Sequence, residues 1–182
     1  MKWRDELLAQ LEFYWNYHLW PRLRGLTDEE YFWEPVPDCW SLREQPDGSY
    51  QIDWAWPTPD PPPVTTIAWR LAHMGVQTLG IRASSHFGDG SLTLETIKWP
   101  RNASEALRGL ATHYEHWRRG IHTLDEDALL APVGAAEGEF AAAPFAGLIL
   151  HLNREIMHHG GEIGVLRDLY RAMRRPAVPS PR

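Results

Sequence analysis

Hydrophobic residues recur every three to four positions over four long segments of the 182-residue chain, which is the period of amphipathic helices. The pattern predicts helices over residues 3–23, 67–85, 103–124 and 144–174. Thr65 or Thr66 can cap the second helix, because a side-chain hydroxyl accepts a free backbone N–H. Asn102 or Ser104 can cap the third helix, and Pro144 is suited to the first turn of the fourth. Four long helices without a convincing strand predict an all-α four-helix bundle.

The sequence also predicts local structure at the ends of these helices and in the segments between them. Thr27 can cap a short helix over 28–33, with Glu30 completing a capping box. Pro21 is predicted to kink or end the first helix. Residues 34–63 hold eight prolines and no helical period, which predicts an ordered but irregular Pro/Trp-rich loop between the first two long helices.

The length and charge of the chain limit its expected domain organisation and partners. We predict a single domain over residues 1–174 and a frayed Pro-rich tail over 175–182. The net charge is −6 and no Lys/Arg-rich run is present, so we expect no nucleic-acid partner. The longest mostly apolar stretch, 141–152, is too short to cross a bilayer, and the first residues lack a signal-peptide segment. We therefore expect a cytoplasmic protein with no membrane partner.

Two further features of composition concern partners and metals. Trp3, Phe13 and Trp20 lie off the main stripe of the first helix, an apolar surplus that would suit a homodimer. Cys39 is the single cysteine, which excludes an internal disulfide and a Cys-rich zinc site. A metal in this chain would have to be bound by histidine and carboxylate side chains.

Steps of three and four along the last helix predict a seam facing the core, and three of its eight positions are ionisable. The seam comprises Phe145, Leu148, Leu152, Glu155, His159, Glu162, Leu166 and Leu169. Burial of a carboxylate or an imidazole is costly unless the group is paired or binds a metal. Glu155 and His159 are one turn apart and can hold one ion, with His73 of the second helix as a third ligand. Such a set suits zinc, nickel or iron(II) and leaves coordination positions open, which favours catalysis.

Other interpretations of the same residues stay open. A buried Glu155–His159 hydrogen bond without metal would satisfy both groups, and a lone histidine such as His73 is commonly a core residue. Glu162 could orient the His159 imidazole. His151 and His158 flank the pair and could replace a ligand or carry protons. A di-iron site would need a second Glu-x-x-His element, which the sequence lacks.

Several motifs together give a family resemblance that covers most of the chain. They are Leu26-Thr27-Asp28-Glu29-Glu30, Trp33-Glu34-Pro35, Cys39-Trp40-Ser41-Leu42-Arg43, Thr65-Thr66-Ile67-Ala68-Trp69-Arg70-Leu71-Ala72-His73, His151-Leu152-Asn153-Arg154-Glu155 and His158-His159-Gly160-Gly161-Glu162-Ile163. With these motifs the chain resembles the DinB/YfiT-like superfamily of metalloenzymes. The resemblance implies a four-helix bundle with one divalent metal, zinc first and nickel or iron as alternatives. Carried over, the family's ligand positions are His73, Glu155 and His159.

Glu155 departs from the histidine of many members, and the set then resembles that of mycothiol-dependent maleylpyruvate isomerase. The Arg- and Trp-rich composition is similar to that of actinobacterial members. The resemblance implies an S-transferase or isomerase that uses a small, mycothiol-type thiol on an electrophilic small molecule. The alternatives are a non-catalytic metal- or ligand-binding module and a metal-assisted hydrolase with Glu162 or His158 as proton carrier.

Arginines and tryptophans outside the ligand set are candidates for the substrate pocket. Guanidinium groups can bind carboxylates of the thiol or substrate in a bidentate way. The arginines considered are Arg43, Arg70 and Arg154. Large aromatic side chains in an irregular loop can cover a pocket, and those considered are Trp40, Trp54 and Trp56.

Overall fold

The first long helix is continuous from residue 3 to residue 23. A computed structural model describes residues 2–174 of the chain. In it α1 (Trp3–Tyr14) passes through a π-helical turn (Trp15–Leu19) into α2 (Trp20–Leu23). Pro21 therefore does not end the helix. A proline removes one backbone donor, and the π-helical turn places a change of hydrogen-bond register directly before it.

The second long helix has the same construction. It comprises α4 (Ile67–Ala72), a π-helical segment (His73–Gly80) and α5 (Ile81–Phe87), and it ends two residues later than predicted. The Thr66 hydroxyl caps it by accepting the Trp69 N–H at 3.2 Å. Wider π turns inside α-helices occur often at functional sites, and this one begins at His73.

The other two long helices are regular. The third, α6 (Ala103–His122), is capped by Asn102, and the fourth, α8 (Phe145–Met173), follows Pro144 in the capping position. Between them lie α7 (Glu126–Leu130) and a short 3₁₀ helix (Ala135–Phe140). The prediction for Pro144 was one residue too early, since it precedes the first helical residue.

Side chains from all four long helices form one core, and the all-α bundle is confirmed. α6 packs on the second long helix, and α1 packs on α8. Trp15 stacks on Tyr114 with ring centroids 3.7 Å apart, which joins the first helix to the third. Gly160 allows the first helix to approach α8 closely, because a Cβ there would lie 2.5 Å from the Tyr14 hydroxyl. None of the helices within 2–174 meets the length and apolarity needed to cross a membrane.

Two parts of the predicted connections were wrong. The Pro/Trp-rich loop contains a short antiparallel pair, β1 (Leu42–Glu44) and β2 (Tyr50–Ile52), whose three-residue strands are too brief to show a period. Thr27 does cap α3 (Asp28–Tyr31), but the Glu30 side chain does not complete a capping box. Its carboxylate instead accepts two hydrogen bonds from Arg167 of α8, at 2.7 and 2.8 Å. The predicted tail, 175–182, lies outside the described residues.

Candidate metal centre

The buried stripe of α8 is displaced from the predicted seam. A repeat of 3.5 residues drifts by about 20° per heptad on an α-helix, and this accumulates to about 70° between the first and last seam positions. Phe145 is accordingly buried, while Leu169 is exposed. Glu155 and His159 lie at the edge of the stripe with side chains 22% and 12% exposed, and Glu162 is half-buried beside them. They face a groove between α8 and the second long helix.

Three potential ligand atoms converge in the middle of this groove. The Glu155 Oε2 atom lies 3.6 Å from Nε2 of His73 and 3.4 Å from Nε2 of His159. One ligand atom from each of the three residues lies within 4.8 Å of the others. Two ligands about 2.1 Å from a tetrahedral ion would be about 3.4 Å apart. The spacing of these donors therefore fits a single ion with at least one free coordination position.

The imidazole orientations also suit metal binding. Nδ1 of His73 lies 2.9 Å from Oε1 of Gln77, and Nδ1 of His159 lies 2.7 Å from Oε2 of Glu162. Both oxygens are acceptors, so with an ion bound each Nδ1 can keep its proton on these oxygens while each Nε2 offers its lone pair to the ion. The Arg70 Nη1 atom pairs with the same Glu162 oxygen and lies 3.0 Å from Nδ1 of His159. Glu162 and Arg70 thus orient one ligand, and Gln77 orients the other.

Both carboxylates of the groove are held ionised. Hydrogen bonding to His73, with the nearby imidazoles, lowers the pKa of Glu155 to about 2 against the opposing effect of its burial. Burial tends to raise the pKa of Glu162, but His159 and Arg70 outweigh it and bring the value below its usual range. Burial lowers the pKa of the Arg70 guanidinium. The groove therefore presents anionic carboxylate oxygens, which are suitable ligands for a divalent cation.

A second group of donors overlaps the first. Ligand atoms of His158, His159 and Glu162 also lie within 4.8 Å of one another. This arrangement would take Glu162 away from Arg70 and would use His158, whose side chain is mostly exposed. The set of His73, Glu155 and His159 keeps every orienting contact and is the better candidate.

A sequence-family model described as the DinB superfamily matches residues 10–163, which include all three candidate ligands. The chain belongs to the DinB superfamily. No curated protein and no solved structure matches it. The family match confirms the resemblance drawn from the motifs, whereas membership of the mycothiol-dependent branch of the DinB superfamily stays a prediction.

An aromatic wall closes one end of the groove of this DinB-superfamily protein. Trp69 stacks on His73 with centroids 5.0 Å apart, and Trp54 lies parallel to Trp69 at 6.0 Å. Trp40 packs against both tryptophans. Trp56 is 86% exposed and takes no part in the wall. Sequence reasoning did not place Trp69 in the pocket, although its position four residues before His73 puts it one turn away on the same helix.

The predicted arginines have three different locations. Arg43 binds Asp53, Glu34 and the Cys39 carbonyl, and so stabilises the Pro/Trp-rich loop instead of facing the groove. Arg70 lies inside the groove, as described above.

Arg154 lies at the other end of the groove from the aromatic wall, together with His151. Their nearest nitrogens are 3.9 and 3.7 Å from Oε1 of Glu155.

Proposed function

We propose that this DinB-superfamily protein binds one divalent metal through His73, Glu155 and His159, and that it is an S-transferase or isomerase. The observation that carries the proposal is the convergence of three donor atoms whose two imidazoles are already oriented by Gln77 and Glu162. Zinc is the expected ion, with nickel and iron(II) as alternatives, because the donors are borderline nitrogen and hard oxygen.

The arrangement supports a catalytic metal site more than a structural one. Structural zinc sites are closed by four protein ligands, whereas catalytic sites keep an open position. A bound divalent ion would lower the pKa of a thiol that enters the open position. Trp54 and Trp69 keep one side of the site apolar, and Glu162 holds the Nδ1 proton of His159. We propose a small, mycothiol-type thiol and an electrophilic small molecule as the two reactants.

Metal content is the first test. Protein purified without an affinity tag would be analysed for zinc, nickel and iron, beside the variants His73→Ala and Glu155→Gln. We expect about one ion per chain in the wild type and loss of the ion in both variants. His122→Ala and Glu6→Gln are matched controls, because both residues are exposed and lie on other helices. Wild-type protein that stays metal-free after reconstitution would refute the proposal.

The reaction is tested separately on the loaded protein. A small thiol and 1-chloro-2,4-dinitrobenzene would be combined with the wild type and with Glu155→Gln. In this reaction the sulfur–carbon bond forms, chloride leaves and the thiol proton passes to the buffer. Turnover lost in the variant supports an S-transferase. Thiol binding without consumption would favour a binding module, and hydrolytic activity that needs no thiol would favour a hydrolase.

A further inference from the structure

A cavity of 370 Å³ lies beside the metal centre, between α8, α5 and the segment 133–143. One wall is apolar and is formed by Val133, Phe140 and Leu148. The other carries polar side chains, namely Arg82, Glu137, His151 and Arg154, and the Glu137 carboxylate is paired with His86 and Arg82. The volume is near the lower end of the range of about 300–1,000 Å³ that is typical of small-molecule sites. The cavity therefore fits a small ligand with an apolar part and a polar part.

Glu155 connects this cavity to the candidate metal site. Its Oε2 atom faces the two ligand histidines, whereas its Oε1 atom faces His151 at 3.7 Å and Arg154 at 3.9 Å. The polar wall of the cavity is thus separated from the metal position by a single carboxylate group. A molecule in the cavity would lie next to whatever occupies the open position of the ion.

The guanidinium donors of the polar wall are only partly used. Arg82 donates one hydrogen bond to the Gln77 carbonyl at 2.8 Å and approaches Glu137 at 3.4 Å. Glu137 is held more closely by His86, whose Nε2 lies 2.9 Å from its carboxylate. Arg154 is largely exposed, and within residues 2–174 its guanidinium makes polar contacts with His151 and Glu155. Each guanidinium has five N–H donors, so both can bind a further acceptor.

We propose that this cavity binds a small organic carboxylate, with the carboxylate on Arg82 and Arg154 and the hydrocarbon part against Val133, Phe140 and Leu148. Guanidinium groups bind carboxylates through paired, charge-assisted hydrogen bonds, which explains the choice of anion. The ligand's role as the electrophilic reactant rests on the proposed function. Binding of the carboxylate does not rest on the proposed function, because none of the residues that line the cavity is a candidate metal ligand.

Binding is tested on metal-free protein in chelator, so that the carboxylate has no ion to coordinate. Calorimetric titration would compare propionate and 4-phenylbutyrate with the neutral amide 4-phenylbutyramide. We expect the carboxylates to bind more tightly than the amide. Arg82→Gln and Arg154→Gln should each weaken carboxylate binding about tenfold or more, because each removes charged hydrogen bonds. Phe140→Ala should weaken 4-phenylbutyrate more than propionate.

Arg101→Gln is the matched control, because Arg101 is an exposed arginine paired with Glu105 at another surface. Thermal unfolding of each variant would check that it is folded. The inference is overturned if neither carboxylate binds at about 10 mM, or if both arginine variants bind the carboxylates as tightly as the wild type does. Metal content separates the two proposals. A loaded protein that binds no carboxylate refutes only the cavity assignment, whereas carboxylate binding by a protein that takes up no metal refutes only the proposed function.

Discussion

Replacement of Gln77 by alanine is expected to weaken metal binding although Gln77 is not a ligand. The Gln77 amide oxygen accepts the Nδ1 proton of His73 at 2.9 Å, which directs Nε2 of His73 toward Glu155. Without that acceptor the imidazole can rotate and change tautomer. Loss of such an outer contact commonly costs 10- to 100-fold in metal affinity. The expected change in binding free energy is therefore about 1.4–2.7 kcal/mol.

The assay is a zinc competition with a chromophoric chelator, applied to the wild type, Gln77→Ala and Gln77→Glu. The glutamate variant keeps an acceptor for the Nδ1 proton, so it should bind zinc at least as tightly as the wild type. Gln10→Ala, a change at an exposed position of α1, is the control. Equal zinc affinity in the wild type and Gln77→Ala, with tight binding in both, would refute the role given to Gln77 in orienting His73.

The remaining predictions concern stability. Glu30→Gln should lower the free energy of unfolding by about 3–5 kcal/mol in urea titrations, because it leaves the fully buried Arg167 guanidinium without its partner charge. A double variant with Arg167→Met should recover part of the loss, and an equal or larger loss would contradict this account. Gly160→Ala should lower the melting temperature, because its Cβ would collide with Tyr14. Gly161→Ala meets no atom within 4 Å and should raise stability by up to about 1 kcal/mol, so the same sign for both glycine variants would be contrary evidence.

Helices were predictable because their signals are local. The caps Thr66 and Asn102 accept N–H groups three residues ahead, as their sequence positions indicated. The capping interpretation of Glu30 was wrong for the opposite reason. Its partner is Arg167, 137 positions away, and a bidentate charged pair replaced the local hydrogen bond.

The candidate ligands could be listed from sequence, but their surroundings could not. Glu155 and His159 are adjacent on any α-helix because they are four residues apart. Gln77, on the same helix as His73, could have been found by the same spacing. Arg82 could not, because its place beside the cavity depends on the segment 133–143 and on the alignment of the second helix with α8.

The sequence by itself determined the four amphipathic helices, most of their caps and the DinB-superfamily motifs, because these depend on spacings of three or four residues along the chain. Only the tertiary structure decided that Glu155 and His159 face a groove and not the core, since the buried side of α8 depends on where the other helices pack against it. It also decided that His73 stands opposite them. That alignment depends on how two helices about 80 residues apart in sequence pack against each other, and no local pattern specifies it.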